Sequence, residues 1–100
     1  MNEKFHDLGL YERGDRWMAF YCPGCKCGHS IPVEGSRGWK WNGSQDKPTV
    51  MPSILVNRGS TNPTVPACHS YVRDGRIEFL SDCTHALAGQ TVELPDWNDQ

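Results

Sequence analysis

Apolar and polar positions alternate along this chain with a period near two, and glycine or proline interrupts nearly every stretch before a helical period can develop. The pattern predicts a mostly β fold. LGLYERGDRWMAFYC reads as a strand, a turn at Arg13–Asp15 and a second strand. HSIPV returns as a strand after a cysteine-rich turn. GWKWNGS carries an Asn-Gly turn signal at Asn42–Gly43. PTVMPSILVN is a strand whose prolines belong at an edge or a bulge, and GSTNPTVP is a loop.

CHSYVRDGRIEFL gives the sharpest expectation. Asp74-Gly75 suits a two-residue type I′ turn, which sets Arg73 opposite Arg76, Val72 opposite Ile77, Ser70 opposite Phe79 and Cys68 opposite Ser81. Cys68, Ser70, Val72, Ile77 and Phe79 then share a core face, and His69, Tyr71, Glu78 and Leu80 share the other. If the strand continues, Cys83 and His85 fall on the Cys68 side. In THALAGQTVELP, Thr84 can cap one short helical turn that Gly89 ends, and Thr91–Leu94 reads as a last strand. No repeat or domain boundary interrupts residues 1–100. The tail, 96–100, is expected to fray unless Trp97 docks back.

The candidate chemistry lies in FYCPGCKCGHSIP. Cys22-Pro-Gly-Cys25 has the form of a zinc knuckle, in which two thiolates on a tight turn aim at one ion. Zn²⁺ takes four such ligands, so a second segment must supply the rest. Cys68-His69 and Cys83-Thr84-His85 are available, and the hairpin register brings Cys68 and the Cys83/His85 end to one face. The expected ligands are Cys22, Cys25, Cys68 and His85, with His29 as the close alternative. Cys27 and Cys83 read as small buried apolar residues. His69 points away from Cys68 in this register. His69 and Asp82 then share a face beside the metal, as a candidate functional site. Trp39 and Trp41 share a strand face and read as packing residues.

Two catalytic alternatives stand beside a structural zinc. A zinc hydrolase would leave one metal position open for water and use Asp82 with a spare histidine. A thiol-redox protein would use the strand-then-CxxC opening, but its second cysteine needs a following helix. Gly28, Pro32 and Gly35 deny one here, and the βαβ alternation is missing.

Composition narrows the field. The chain has 100 residues and a net charge of −2, without a polybasic run, which argues against nucleic-acid binding. No apolar run approaches the length of a membrane span, and MNEKFHDLGL lacks a signal-peptide core. Five cysteines without an export signal suit a reducing compartment, where clustered Cys and His bind metal. The expectation is a soluble cytoplasmic protein. A core this small has a thin stability margin, so a metal staple matters.

CPGCKCGHSIP, WKWNG, KPTVMPSILV and CHSYVRDGRIEFLSDCTHALAGQTVELP together resemble a family of small phage and prophage proteins often labelled ammonia monooxygenase. The resemblance covers roughly residues 17–97. The chain has neither the membrane span nor the histidine set of a copper membrane oxygenase. The resemblance implies a bacteriophage origin and a small zinc-bound β domain, and it implies no activity. Its pattern places a histidine at His29 and varies at Cys27. It thereby favours Cys22, Cys25 and His29 over Cys27, and Cys68, His69 and His85 over Cys83. The resulting expectation is a zinc-ribbon-like domain with one structural Zn²⁺ and no catalytic residues. It would act in the host cytoplasm by binding a host or phage protein.

Overall fold

The computed structural model describes residues 3–12, 15–33, 39–62 and 64–97. The fold is mostly β, and no α-helix occurs among the described residues. Strands β1 (His6–Glu12), β2 (Asp15–Cys22) and β3 (Cys27–Val33) form one antiparallel sheet in that order. A second antiparallel sheet runs β4 (Lys40–Trp41), β5 (Val50–Val56), β6 (Cys68–Arg73), β7 (Arg76–Phe79) and β8 (Thr91–Glu93), also in sequence order. The expected turn at Arg13–Asp15 includes Arg13 and Gly14, which lie outside the described residues.

The two sheets bury their inner faces in one core. Phe5, Met18, Phe20, Cys22, Ile31 and Val33 come from the first sheet and the segment before it. Val50, Ile54, Cys68, Val72, Ile77, Phe79 and Leu94 come from the second sheet and its flanks. Trp39 and Trp41 are partly buried against this core. Trp41 meets Phe5 edge-on at 5.3 Å.

The β6–β7 hairpin has the register the sequence predicts. Ser70 opposes Phe79, Val72 opposes Ile77 and Arg73 opposes Arg76. Asp74 and Gly75 both take positive φ, 51° and 79°, as a type I′ turn requires. Pairing ends at Phe79, so Cys68 has no opposite partner at Ser81. Instead Leu80 N–H donates to the His69 carbonyl, Cys83 N–H donates to the Leu80 carbonyl, and the chain turns through Ser81 and Asp82.

The segment after Thr84 makes turns rather than a helix. Ala88 N–H reaches the His85 carbonyl, and Gly89 ends the turn at φ 77°. The Thr84 hydroxyl does not cap it, because that oxygen accepts the Ala67 N–H at 2.9 Å. Trp97 docks back: its N–H donates to the Glu3 carbonyl and its ring stacks on His6 at 5.1 Å.

The β5–β6 ladder is irregular. Val50 pairs with Val72 and Ile54 with Ser70, so four steps on β5 span two on β6. The shift falls between Val50 and Ile54, the segment that holds Pro52, and irregularities of this kind re-aim side chains.

Candidate functional site

Cys22 closes β2 and Cys27 opens β3, so the turn between them carries Cys25. Its geometry is that of a metal knuckle. Cys25 N–H donates to Cys22 Sγ at 3.3 Å, and Lys26, at φ 59°, donates its N–H to the Cys22 carbonyl. Such N–H···S bonds orient a thiolate and stabilise its charge. From the other sheet, Cys68 at the start of β6 brings its Sγ to 3.9 Å from Cys22 Sγ. His29 completes the group. It opposes Phe20 in the β2–β3 ladder and is buried, and its ligand atom lies within 4.8 Å of those of Cys22, Cys25 and Cys68.

His85 belongs to a different group, with Cys68 and Cys83. Its ring lies directly over the knuckle, where a Cβ on Gly24 would overlap it, and edge-on to Phe79 at 4.5 Å. Nδ1 of His85 accepts the Leu87 N–H at 3.2 Å. A neutral imidazole that accepts at Nδ1 carries its proton at Nε2. That Nε2 is buried and has no hydrogen-bond partner. His29 is the histidine grouped with Cys22, Cys25 and Cys68 together, whereas His85, which the sequence spacing favours, groups with Cys68 and Cys83. The structure also leaves Cys27 exposed, not buried as expected of a core cysteine, and outside both groups.

The cysteine electrostatics test whether a cation fits. The hydrogen bond from Cys68 holds the Cys22 thiol well below its ordinary range, and the same bond drives Cys68 upward. Burial, reinforced by the Cys22 charge, pushes Cys25 up to about 12. The raised Cys25 and Cys68 thiols oppose further ionisation beside the Cys22 thiolate. A divalent cation would let all three ionise. The buried, unpartnered Nε2 of His29 and the absence of any disulfide among the five cysteines suit the same occupant. Three thiolates and an imidazole are a tetrahedral zinc donor set.

The outer face of β6 carries a second constellation. His69 alternates with Cys68 and Ser70 and so leaves the core. Its Nδ1 lies 3.2 Å from Asp82 Oδ2, and its Nε2 lies 3.1 Å from Ser53 Oγ. Because a carboxylate only accepts, Nδ1 donates to Asp82 and Nε2 accepts from the Ser53 hydroxyl. Ser53 sits in the register-shifted part of β5 between exposed Met51 and exposed Leu55. The His69 side chain is 27% exposed and that of Asp82 63%.

A serine, a histidine and an aspartate in this order of hydrogen bonds form the nucleophile, base and orienting carboxylate of acyl-transfer chemistry. His69 and Asp82 are positions the sequence singles out for their shared face. Ser53 is not. No local motif marks it, since the partner histidine lies 16 residues away and reaches it only through β5–β6 pairing.

A model of a protein family described as the bacterial ubiquitination-like system serine protease, BubE, matches residues 2–80. No curated protein and no solved structure matches the chain. The family match overturns the expectation of a phage accessory protein that works by binding, and with it the alternatives of a zinc hydrolase and a CxxC redox protein. Nothing in the match indicates a phage origin. The matched span includes Ser53, His69 and the four clustered ligands and ends just before Asp82.

Proposed function

The chain belongs to the BubE family, and from that premise we propose that it is a serine protease whose nucleophile is Ser53, whose general base is His69 and whose orienting carboxylate is Asp82. The carrying observation is the pair of hydrogen bonds through one imidazole, 3.1 Å to Ser53 Oγ and 3.2 Å to Asp82 Oδ2. In the reaction, His69 Nε2 takes the hydroxyl proton as Ser53 Oγ attacks the substrate carbonyl. The imidazolium then gives that proton to the leaving amine, and water releases the acyl group by the same route. Asp82 keeps the proton on Nδ1 and stabilises the imidazolium. Both hydrogen bonds are at the long end of their range, as in many unliganded active sites.

The family's description places its members in a bacterial ubiquitination-like system. The substrate we propose is therefore a peptide or isopeptide bond at the C-terminus of a ubiquitin-like protein. Cys22, Cys25, His29 and Cys68 would hold zinc in a structural role. These residues would use the metal only to tie the first residue of β6 to the β2–β3 knuckle, without a part in the triad's chemistry. His69 follows Cys68 directly, so the base stands on a strand end fixed by the metal ligands. Five free thiols and a zinc cluster suit the reducing cytoplasm. No helix among the described residues is long and apolar enough to cross a membrane.

The test is hydrolysis of a ubiquitin-like protein fused through its C-terminus to a reporter, using the ubiquitin-like protein of the same system. Wild type should cleave it, and Ser53→Ala should lose roughly 10⁴-fold or more in kcat with an unchanged melting temperature. Equal cleavage by Ser53→Ala would remove Ser53 from the mechanism.

A further inference from the structure

We propose that Cys83 is a positioning residue for the base: its thiol clasps the main chain of His69 and sets where the imidazole stands between Ser53 and Asp82. The catalytic consequence rests on the triad assignment, whereas the geometry does not. Cys83 is 7% exposed. Its Sγ accepts the His69 N–H at 3.2 Å and donates its S–H to the His69 carbonyl, also at 3.2 Å. One side chain therefore takes both the donor and the acceptor of a single residue, which fixes the peptide planes on either side of the catalytic histidine.

The need for such a clasp arises from the topology. The β6–β7 ladder stops at Phe79, so beyond Ser70 no β7 residue pairs with the start of β6. The segment around Asp82 takes its place. Thr84 N–H donates to the Ala67 carbonyl, Ala67 N–H returns to the Thr84 hydroxyl, and Leu80 N–H shares the His69 carbonyl. Cys83 is the centre of this graft. It directly follows Asp82, so one residue sets both the backbone of the base and the place of the carboxylate that orients it.

A thiol suits the position. Sulfur is a weak donor and acceptor, but its long bond to carbon reaches a main chain from a site that is otherwise apolar. The competing role for Cys83 is that of a metal ligand with Cys68 and His85. That role needs the thiolate, which has no proton to give the His69 carbonyl, and it needs a deprotonated His85 Nε2, which the Leu87 N–H at Nδ1 opposes.

The experiment compares Cys83→Ala and Cys83→Ser in the zinc-loaded full chain. Three quantities are measured: zinc per chain, kcat and KM on the ubiquitin-like fusion, and the low-field NMR resonance of the His69 Nδ1 proton. Cys83→Ala should keep its zinc and its KM, lose about 10- to 100-fold in kcat through misplacement of the base, and lose or broaden the resonance. Cys83→Ser, which can still accept and donate, should recover most of kcat and the resonance. Loss of zinc in Cys83→Ala would make it a ligand and overturn the proposal. An unchanged kcat and resonance in Cys83→Ala would overturn it too, as would a Cys83→Ser variant no better than alanine. If Cys83→Ala fails to fold, the folded serine variant decides by whether it retains the resonance. If the wild type shows no turnover, the protease reading fails, and the resonance alone decides whether Cys83 places His69.

Discussion

Cys68 and His69 are neighbours in sequence and sit on opposite faces of β6, and the two faces carry different chemistries. The inner face ends in a cluster of three buried or half-buried cysteines and a buried histidine, drawn from both sheets. The outer face holds Ser53, His69 and Asp82, all partly or largely open to solvent. Burial sorts the two. Sulfur ligands in an apolar core cannot meet a polypeptide substrate, but a cation there can bind both sheets together. Hydroxyl, imidazole and carboxylate on an open face are poorly placed to staple a fold, but a substrate can reach them. The strand joins the two: whatever fixes Cys68 limits where His69 can move.

The largest effect is expected from breaking the inner face. Structural zinc contributes on the order of 10 kcal/mol in small domains, more than a 100-residue core can spare. Cys22→Ser or Cys68→Ser, or chelation of the wild type, should unfold the domain in circular dichroism and abolish cleavage, although no step of the reaction uses the metal. A chelated protein that stays folded and active would separate the two faces entirely. Zinc affinity should also rise with pH. Burial and hydrogen bonding raise Cys25 and Cys68 in the free site, so binding must expel their protons, and acid should release the metal. Proton release measured during zinc titration checks the sign.

Breaking the outer face should leave the fold alone. Asp82→Asn should keep zinc content and melting temperature while lowering kcat. The loss should be less than the roughly 10⁴-fold seen when a buried triad aspartate is changed, because solvent screens a carboxylate that is 63% exposed.

A smaller contrast lies within the inner face. His29→Ala should release zinc. His85→Ala should retain it with weaker affinity, since it removes an N–H donor near the sulfurs and not a ligand. Equilibrium competition with a zinc chelator ranks the two, and the reverse order would exchange their roles. The smallest effect is expected at exposed Cys27, where serine should leave zinc affinity and melting temperature nearly unchanged.

Legibility in the sequence divides along the same faces. The hairpin is legible from Arg73–Arg76 to Ser70–Phe79, because Asp74-Gly75 demands a two-residue turn and the turn sets these pairs; the end of the ladder before Cys68 and Ser81 is not. That register puts His69 on the outer face, and Asp82 reaches it from the turn beyond the end of the ladder. The knuckle is legible because Cys22 and Cys25 are local. The fourth ligand is harder: His29 and His85 both approach the cysteines, and they divide by reach, His29 with Cys22, Cys25 and Cys68 and His85 with Cys68 and Cys83, which local spacing does not show. Ser53 is not legible. It lies between a proline and an isoleucine on a strand, without a glycine-flanked elbow, and the β5 bulge that presents it arises from pairing between distant segments. The single turn expected after Thr84 forms and ends at Gly89, but Thr84 does not cap it, because its hydroxyl oxygen is engaged by the Ala67 N–H.

Covalent labelling of the zinc-loaded chain with a fluorophosphonate, located by peptide mass spectrometry, puts the nucleophile itself to the test. One adduct is predicted, on Ser53, lost in His69→Ala under conditions where that variant keeps its zinc and its fold. An adduct on a different serine, or labelling of Ser53 that is indifferent to His69, would contradict the assignment of Ser53 and His69 as nucleophile and base.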